Sequence, residues 1–500
     1  MATTISASML YDYVQCPHRL ELDLFEDPSK RDPISTFVQL LWERGTDFEK
    51  EVINNLDMPF LDLSQYAGSE KINRTNEAMK SGEGLIYGGR ILIDDLIGDP
   101  DLLRKESSGY IAGDIKSGAG LEGDSDLSEG KPKKHYAVQL AQYTNILERL
   151  GKSAGRIPFV WDINGEEITY HLESSRGPLT PNSMWQEYEK YLETARKIAN
   201  QEKRTNPALS SVCKLCHWRN ICFEALKEKN DLSLIPDLGR ARRDAMVNHV
   251  GSVSELANAN LGNFTRGKKT IFSGIGITSL EKFQERAKLL IHPNPSPYLK
   301  EPISLPEIAL ELFFDIETDP FRNICYLHGF LERRNNDNST EKYSCYFAEN
   351  PIPEDEKRAF AEAWAYVQRC LPCAIYYYSS YEKTHWKKLQ EKYPDITSEE
   401  EIENLFNSEN TIDLYNDIVR KKTEWPTNDH SIKTLAAYLG FKWRDPSPSG
   451  AESIEWYHQW VERKLSEIKK RIIEYNEDDC TATSVLLDGI RNLPLIERGT

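Results

Sequence analysis

Apolar residues recur at helical spacing through "SASMLYDYVQCPHRLELDLF" (6–25), which predicts an amphipathic helix. Short apolar runs broken by glycine predict strands around 84–117, and a helical pattern returns over 184–201. Residues 230–291 differ: "IPDLGRARRDAMVNHVGSVSELANAN" and "FSGIGITSLEKFQERAKLL" read as helix pairs, with turns near "PDLG" and "GIG". Five prolines then crowd residues 292–308; proline fixes φ and removes a donor, so this stretch reads as extended. After it, "ALELFFDIET" is a buried-strand run ending in acids. A hairpin-like stretch (324–347) and a helix over about 354–371 follow. The pattern divides the chain into 1–229, a helical module 230–291, a proline-rich linker 292–304 and a domain 305–500. The expected class is an α/β multidomain protein.

Five hundred residues exceed one ordinary core, in keeping with that division. No uncharged run reaches the length of a membrane helix, and no charged-then-apolar leader opens the chain. A cytoplasmic location is expected, with no membrane partner. Disulfides are disfavoured there, so the nine cysteines read as thiols or metal ligands. The net charge of −17 excludes a globally basic coat for nucleic acid. Local basic clusters remain at "KPKK" (131–134), "GRARR" (239–243) and "RGKK" (266–269).

"CKLCHWRNIC" places Cys213, Cys216 and Cys222 within ten residues, and Cys16 lies far upstream. Four thiolates could bind zinc or hold a [4Fe–4S] cluster, although a remote ligand plus a compact trio is unusual for zinc. Between the cysteines, "GDPDLLRKESSGYIAGDIKSG" predicts a hairpin turning at "ESSG". Asp101 and Asp114 would converge across it, and Asp114 shares a face with Lys116 by the period of two. Two carboxylates and a lysine suit metal-assisted phosphodiester cleavage: the acids hold Mg²⁺, and the lysine orients water or screens developing charge. "QLAQY" sets Gln139 and Tyr143 on one helix face.

Asp315 and Glu317 stand two apart on an apolar strand and face one way. Acids there are costly without a metal or partner. Near the end, Tyr475 and Asp479 lie one helical turn apart. "CLPC" (Cys370, Cys373) and the remaining cysteines read as structural, and His217 as packing or a phosphate contact.

The ordered set Cys16, Glu49, Asp101, Asp114-x-Lys116, Gln139-x3-Tyr143 and C-x2-C-x5-C resembles the RecB-like branch of PD-(D/E)XK nucleases that carry iron–sulfur clusters. That resemblance implies a restriction-endonuclease-like core and a [4Fe–4S] cluster on the four cysteines. It makes Asp101, Asp114 and Lys116 catalytic, with Gln139 and Tyr143 supporting the site. Glu49, Asp101, Asp114 and Ile115 become the metal-binding residues. The branch often has His-Glu after a glycine; here "RGTDFEKEV" puts Phe48 before Glu49. The acid-x-acid strand and the Tyr-x3-Asp helix are similar to the DEDDy exonucleases of RNase H-like fold. By that likeness Asp315, Glu317 and Asp479 hold Mg²⁺ or Mn²⁺ and Tyr475 orients the attacking water. The middle acid is Glu382 in "YSSYE", with Asp413 in "NTIDLY" as a second candidate. Residues 230–291 resemble helix-hairpin-helix modules, or serve as a plain helical spacer. The combination resembles a family of predicted RecB-like nucleases with a fused RNase H-like domain. It implies a nuclease acting on DNA rather than RNA, in repair, recombination or defence, beside a helicase or similar partner. The competing readings are a nucleic-acid-binding adaptor with degenerate sites, and an RNA exonuclease using the C-terminal site alone.

Overall fold

Pro17 divides the first predicted helix in two. In the computed structural model, which describes residues 3–123, 130–177 and 180–496, helices run Ala7–Gln15 and Pro17–Phe25. Proline lacks an N–H and its ring clashes with the preceding turn, so it starts a helix rather than continuing one. Cys16 is left between the helices in extended conformation, at φ −159° and ψ 109°.

The chain forms two units, Met1–Pro207 with Ser211–Glu224, and Ala208–Ser210 with Ala225–Thr500. The first holds a six-stranded mixed sheet in the order Glu167–Thr169, Phe159–Trp161, Gly109–Ile115, Leu102–Glu106, Leu85–Tyr87, Leu61–Asp62. Strand alternation sends Leu103, Ala112 and Val160 to one face, under helix Lys134–Arg149. Leu102, Ile111, Ile115 and Phe159 go to the other, where Ile53 and Phe48 of helix Thr36–Asn54 pack. Both faces are therefore covered, and acids at strand ends have little water around them.

The second unit is built on a five-stranded sheet in the order Asp337–Phe347, Ile324–Arg334, Leu310–Asp319, Ala374–Tyr377, Thr411–Asp413. The first three strands are antiparallel and the last two run parallel to the central one. Helix Pro353–Cys370 packs over the antiparallel strands, and helix Ser466–Arg491 lies along Leu310–Asp319.

Residues 230–300 belong to this second unit. They form helices Gly239–Met246, Val253–Asn258 and Ile277–Ile291, with a small hairpin of Thr265–Arg266 and Lys269–Thr270 before the last. Gly267, at φ +61°, makes its tight turn and leaves Lys268 and Lys269 exposed. Fully buried Arg286 donates to Glu424 at 2.8 Å, to Asp237 at 2.8 Å and to the Pro236 carbonyl at 2.7 Å. Lys300 takes the other Glu424 oxygen at 3.0 Å. Burial would raise Glu424; Arg286 and Lys300 overcome it and hold the carboxyl below its usual range. Within the proline-rich stretch, Tyr298–Leu299 pairs with Thr423–Glu424, so this stretch is a strand on the unit rather than a free tether.

His328, fully buried on the central hairpin, accepts a hydrogen bond from Trp386 Nε1 at 3.2 Å through Nδ1. Burial, with a small contribution from His385, pushes its pKa down to about 3 from an ordinary 6.5. The unfolded chain therefore takes a proton below pH 6.5 that the folded chain refuses. Its contribution to stability is complete above that pH and is lost as pH falls towards 3, at about 1.4 kcal/mol per pH unit. Denaturant unfolding of wild type and His328→Phe between those limits is expected to show a shallower acid slope for the variant. Equal slopes would exclude the histidine as the cause.

Candidate active sites

The first acid pair arises from hairpin register. Leu102 stands opposite Gly113 across the two-residue loop Ser107–Ser108, so Asp101 and Asp114 meet just beyond the paired ends. The Asp101 carboxylate accepts from Ile115 N–H at 2.8 Å, and Asp114 Oδ1 lies 3.5 Å from Asp101 N. Lys116 Nζ reaches Asp114 Oδ2 at 2.9 Å, and Asp114 is 1% exposed. Burial pushes Asp101 well above the usual carboxylate range, and Asp114 and Glu49 add to this. Lys116 is raised despite burial, because Asp114 and Asp101 favour its charge. Glu49 accepts from the Tyr87 hydroxyl at 2.9 Å. Phe48, its neighbour, packs in the apolar cluster with Leu102 and Ile115. Ile115 joins that cluster through its side chain and faces the acids with its main chain. Gln139 donates to the Tyr143 hydroxyl at 3.0 Å, which in turn donates to the Asp99 carbonyl at 3.2 Å. Burial raises the Tyr143 phenol, and Asp114 and Asp101 add to the rise. Glu49, Asp101, Asp114, Lys116 and Tyr143 thus share one electrostatic site.

The second site gathers residues from four elements. Among the described residues, Asp315, Glu317 and Asp479 bring ligand atoms within 4.8 Å of one another, a spacing that suits a divalent ion. Burial pushes Asp315 well up, and Asp479, Glu317 and Glu382 add to it. Glu317 is pushed up to about 8 by burial first and Asp479 next. Glu382, on helix Tyr381–Lys392, is 3% exposed, and its Oε2 has no hydrogen-bond partner. Burial raises it, as do Asp413, Asp479 and Glu317, so it lies within electrostatic reach of the acid cluster. An all-carboxylate set with an orphaned buried oxygen fits Mg²⁺ or Mn²⁺ by donor chemistry. Asp413 is otherwise occupied: Oδ1 accepts from Ser379 N–H at 3.0 Å and Asn416 N–H at 2.9 Å, and Oδ2 from Asn416 Nδ2 at 2.7 Å. It caps the turn Leu414–Val419 and steadies Ser379, whose φ of +87° turns the chain towards Glu382.

Four residues here had not been expected. Asn476 donates to Asp315 Oδ2 at 2.6 Å and accepts from the Tyr343 hydroxyl at 2.7 Å. Lys433 reaches the Tyr475 hydroxyl at 2.9 Å and both Asp479 oxygens at 3.0 and 3.1 Å. Trp443 Nε1 donates to Asp479 Oδ1 at 2.6 Å. Asn476 adjoins Tyr475 in sequence; the other three lie on separate elements without a spacing signal.

The cysteine run is fastened to the helix that follows Cys16. Trp218 Nε1 and His217 Nε2 both meet Asp23 Oδ1, at 2.9 and 2.8 Å, so His217 is a packing and hydrogen-bonding residue. Burial raises the Cys216 thiol, and Cys16 and Cys213 lie close enough to add to it. Cys222 sits in the first turn of helix Arg219–Glu228. Of the basic residues, Arg243 is 4% exposed and meets Asp244 at 2.9 Å, which makes it structural.

Residues 63–223 match the family model of the PD-(D/E)XK nuclease superfamily, and residues 312–490 match that of the RNase H superfamily. The chain therefore carries a domain of each, in an α/β multidomain layout, and the pair defines a metal-dependent nuclease. No curated protein matches the chain. No helix among the described residues is long and apolar enough to cross a membrane.

A Cβ at Gly329 would overlap Asn476 Oδ1. Gly329→Ala is expected to push Asn476 off Asp315 and weaken Mn²⁺ binding at the C-terminal site by about tenfold, the scale for residues that orient metal ligands. Paramagnetic titration of free Mn²⁺ measures this; unchanged affinity would remove Asn476 from the support of Asp315.

Proposed function

We infer that the protein is a two-site nuclease that hydrolyses phosphodiester bonds of DNA, with the C-terminal domain acting as a DEDDy-type 3′–5′ exonuclease. The observation that carries this reading is the convergence of Asp315, Glu317 and Asp479, with Glu382 and its orphaned oxygen within electrostatic reach of them. These four would hold Mg²⁺ or Mn²⁺. When bound, the ion polarises the phosphate and makes water a better nucleophile. The Tyr475 hydroxyl orients the water. Water oxygen bonds to phosphorus, the bond from phosphorus to the leaving nucleoside oxygen breaks, and a proton passes to that oxygen. At the first site Glu49, Asp101, Asp114 and the Ile115 main chain would hold metal. Lys116 would screen the developing charge, and Gln139 and Tyr143 would brace the acids.

Further parts of the reading rest on the ordered motifs. Cys16, Cys213, Cys216 and Cys222 would hold a [4Fe–4S] cluster in the domain 1–229. The segment 230–291, with exposed Lys268 and Lys269 at a hairpin tip, and the 131–134 loop offer cations to phosphates. The domain 305–500 follows the proline-rich segment 292–304. DNA, a repair or defence setting and a helicase-like partner follow from the resemblance.

End-labelled single- and double-stranded DNA and RNA, digested with Mg²⁺, test the reading. Asp114→Ala and Lys116→Ala are expected to abolish one cleavage activity, and Asp315→Ala a separable one. Wild-type activity in Asp114→Ala on every substrate would exclude the first site. Protein purified without air is expected to be brown, with about four irons per chain; stoichiometric zinc without iron would reject the cluster.

A further inference from the structure

Lys433 is unusual among the cations of this chain. It stands in helix Ile432–Tyr438, behind a loop tied down by Ser431 and Asp429 and by the Tyr378 hydroxyl on the His430 carbonyl. Its ammonium lies over the rings of Trp443 and Tyr475, with Nζ 5.2 and 4.7 Å from their centroids. The ammonium touches three atoms of the acid cluster: the Tyr475 oxygen and both oxygens of Asp479. An ordinary surface ion pair is exposed and floppy. Here the Asp479 side chain is 10% exposed and is gripped from another side by Trp443.

We propose that Lys433 is a positioning residue of the C-terminal site, a fixed cation that sets Tyr475 and Asp479 and stays beside them when a divalent ion binds. This rests on the reading of that site as a metal-dependent nuclease. Two consequences follow from the contacts. The Tyr475 oxygen accepts from the ammonium, so its own hydrogen is directed away from Lys433, and the hydroxyl is left to donate, with Asp479 as its hydrogen-bond partner. A positive charge against Asp479 also opposes a second cation on the same carboxylate. Removing that charge should tighten metal binding while spoiling alignment. A scaffold residue would behave differently, because its loss weakens binding and turnover together.

The test uses the full chain carrying Asp101→Asn and Asp114→Asn, which silences the first site. Mn²⁺ binding is measured by calorimetry, and kcat and KM on a single-stranded oligonucleotide. Lys433→Met is expected to bind Mn²⁺ about tenfold more tightly while kcat falls about a hundredfold and KM holds within about threefold. Lys433→Arg is expected to restore wild-type Mn²⁺ affinity. Lys433→Met with weaker Mn²⁺ binding, or with affinity and kcat both unchanged, overturns the proposal. If the Lys433 wild type binds no more Mn²⁺ than an added Asp315→Asn variant, the metal site itself is absent, and the lysine's role falls with it.

Discussion

Carboxylates that lie within 4.8 Å of one another inside a protein repel, and the C-terminal unit is arranged around that repulsion. Without neighbours, Asp315, Glu317 and Asp479 would move apart or take up protons. The long strand Leu310–Asp319 restrains two of them, because its pairing with Ile324–Arg334 runs through both Asp315 and Glu317. Asn476 holds an oxygen of Asp315, and Trp443 and Lys433 hold Asp479. Burial and mutual repulsion favour the protonated forms of Asp315 and Glu317, and a bound divalent ion would favour the ionised ones. Rigidity and electrostatic discomfort at one point are the same property, and they make the cluster a cation trap.

The first site reaches a comparable state with fewer parts. Its lysine comes two residues after one acid and is already paired with it. Asp101 is held by a main-chain N–H from the neighbouring strand, so the hairpin itself carries the ligand geometry. Phe48 strengthens the apolar floor beneath the acids, where a histidine would have met Leu102 and Ile115.

How legible this was depended on range. Asp114 with Lys116, and Asp315 with Glu317, were readable because strand periodicity alone sets their common face. Tyr475 with Asp479 was readable from one helical turn. Glu382 was read as the middle acid with Asp413 as a second candidate; Asp413 accepts from the Ser379 and Asn416 N–H groups and from Asn416 Nδ2, while Glu382 keeps an unpartnered oxygen. Lys433 and Trp443 reach Asp479 across more than thirty residues, and no local period encodes such contacts. The proline-rich stretch was read as an extended linker because proline content reports stiffness and missing donors. It does not reveal that Tyr298–Leu299 finds a strand partner at Thr423–Glu424. The single early helix failed at Pro17 for a reason that was in the sequence, and the failure exposes Cys16 between two helices.

The clasp of Trp218 and His217 on Asp23 bears on how the first unit comes off the ribosome. Its partners are separated by nearly the whole unit, so the clasp cannot close until the cysteine run has been synthesised. At about 5–20 residues per second, that interval is tens of seconds. During it helix Ala7–Gln15 can already pack on helix Lys134–Arg149, and both early helices on Met184–Ala199, while the clasp stays open. High contact order of this kind slows closure and lengthens exposure to chaperones and proteases.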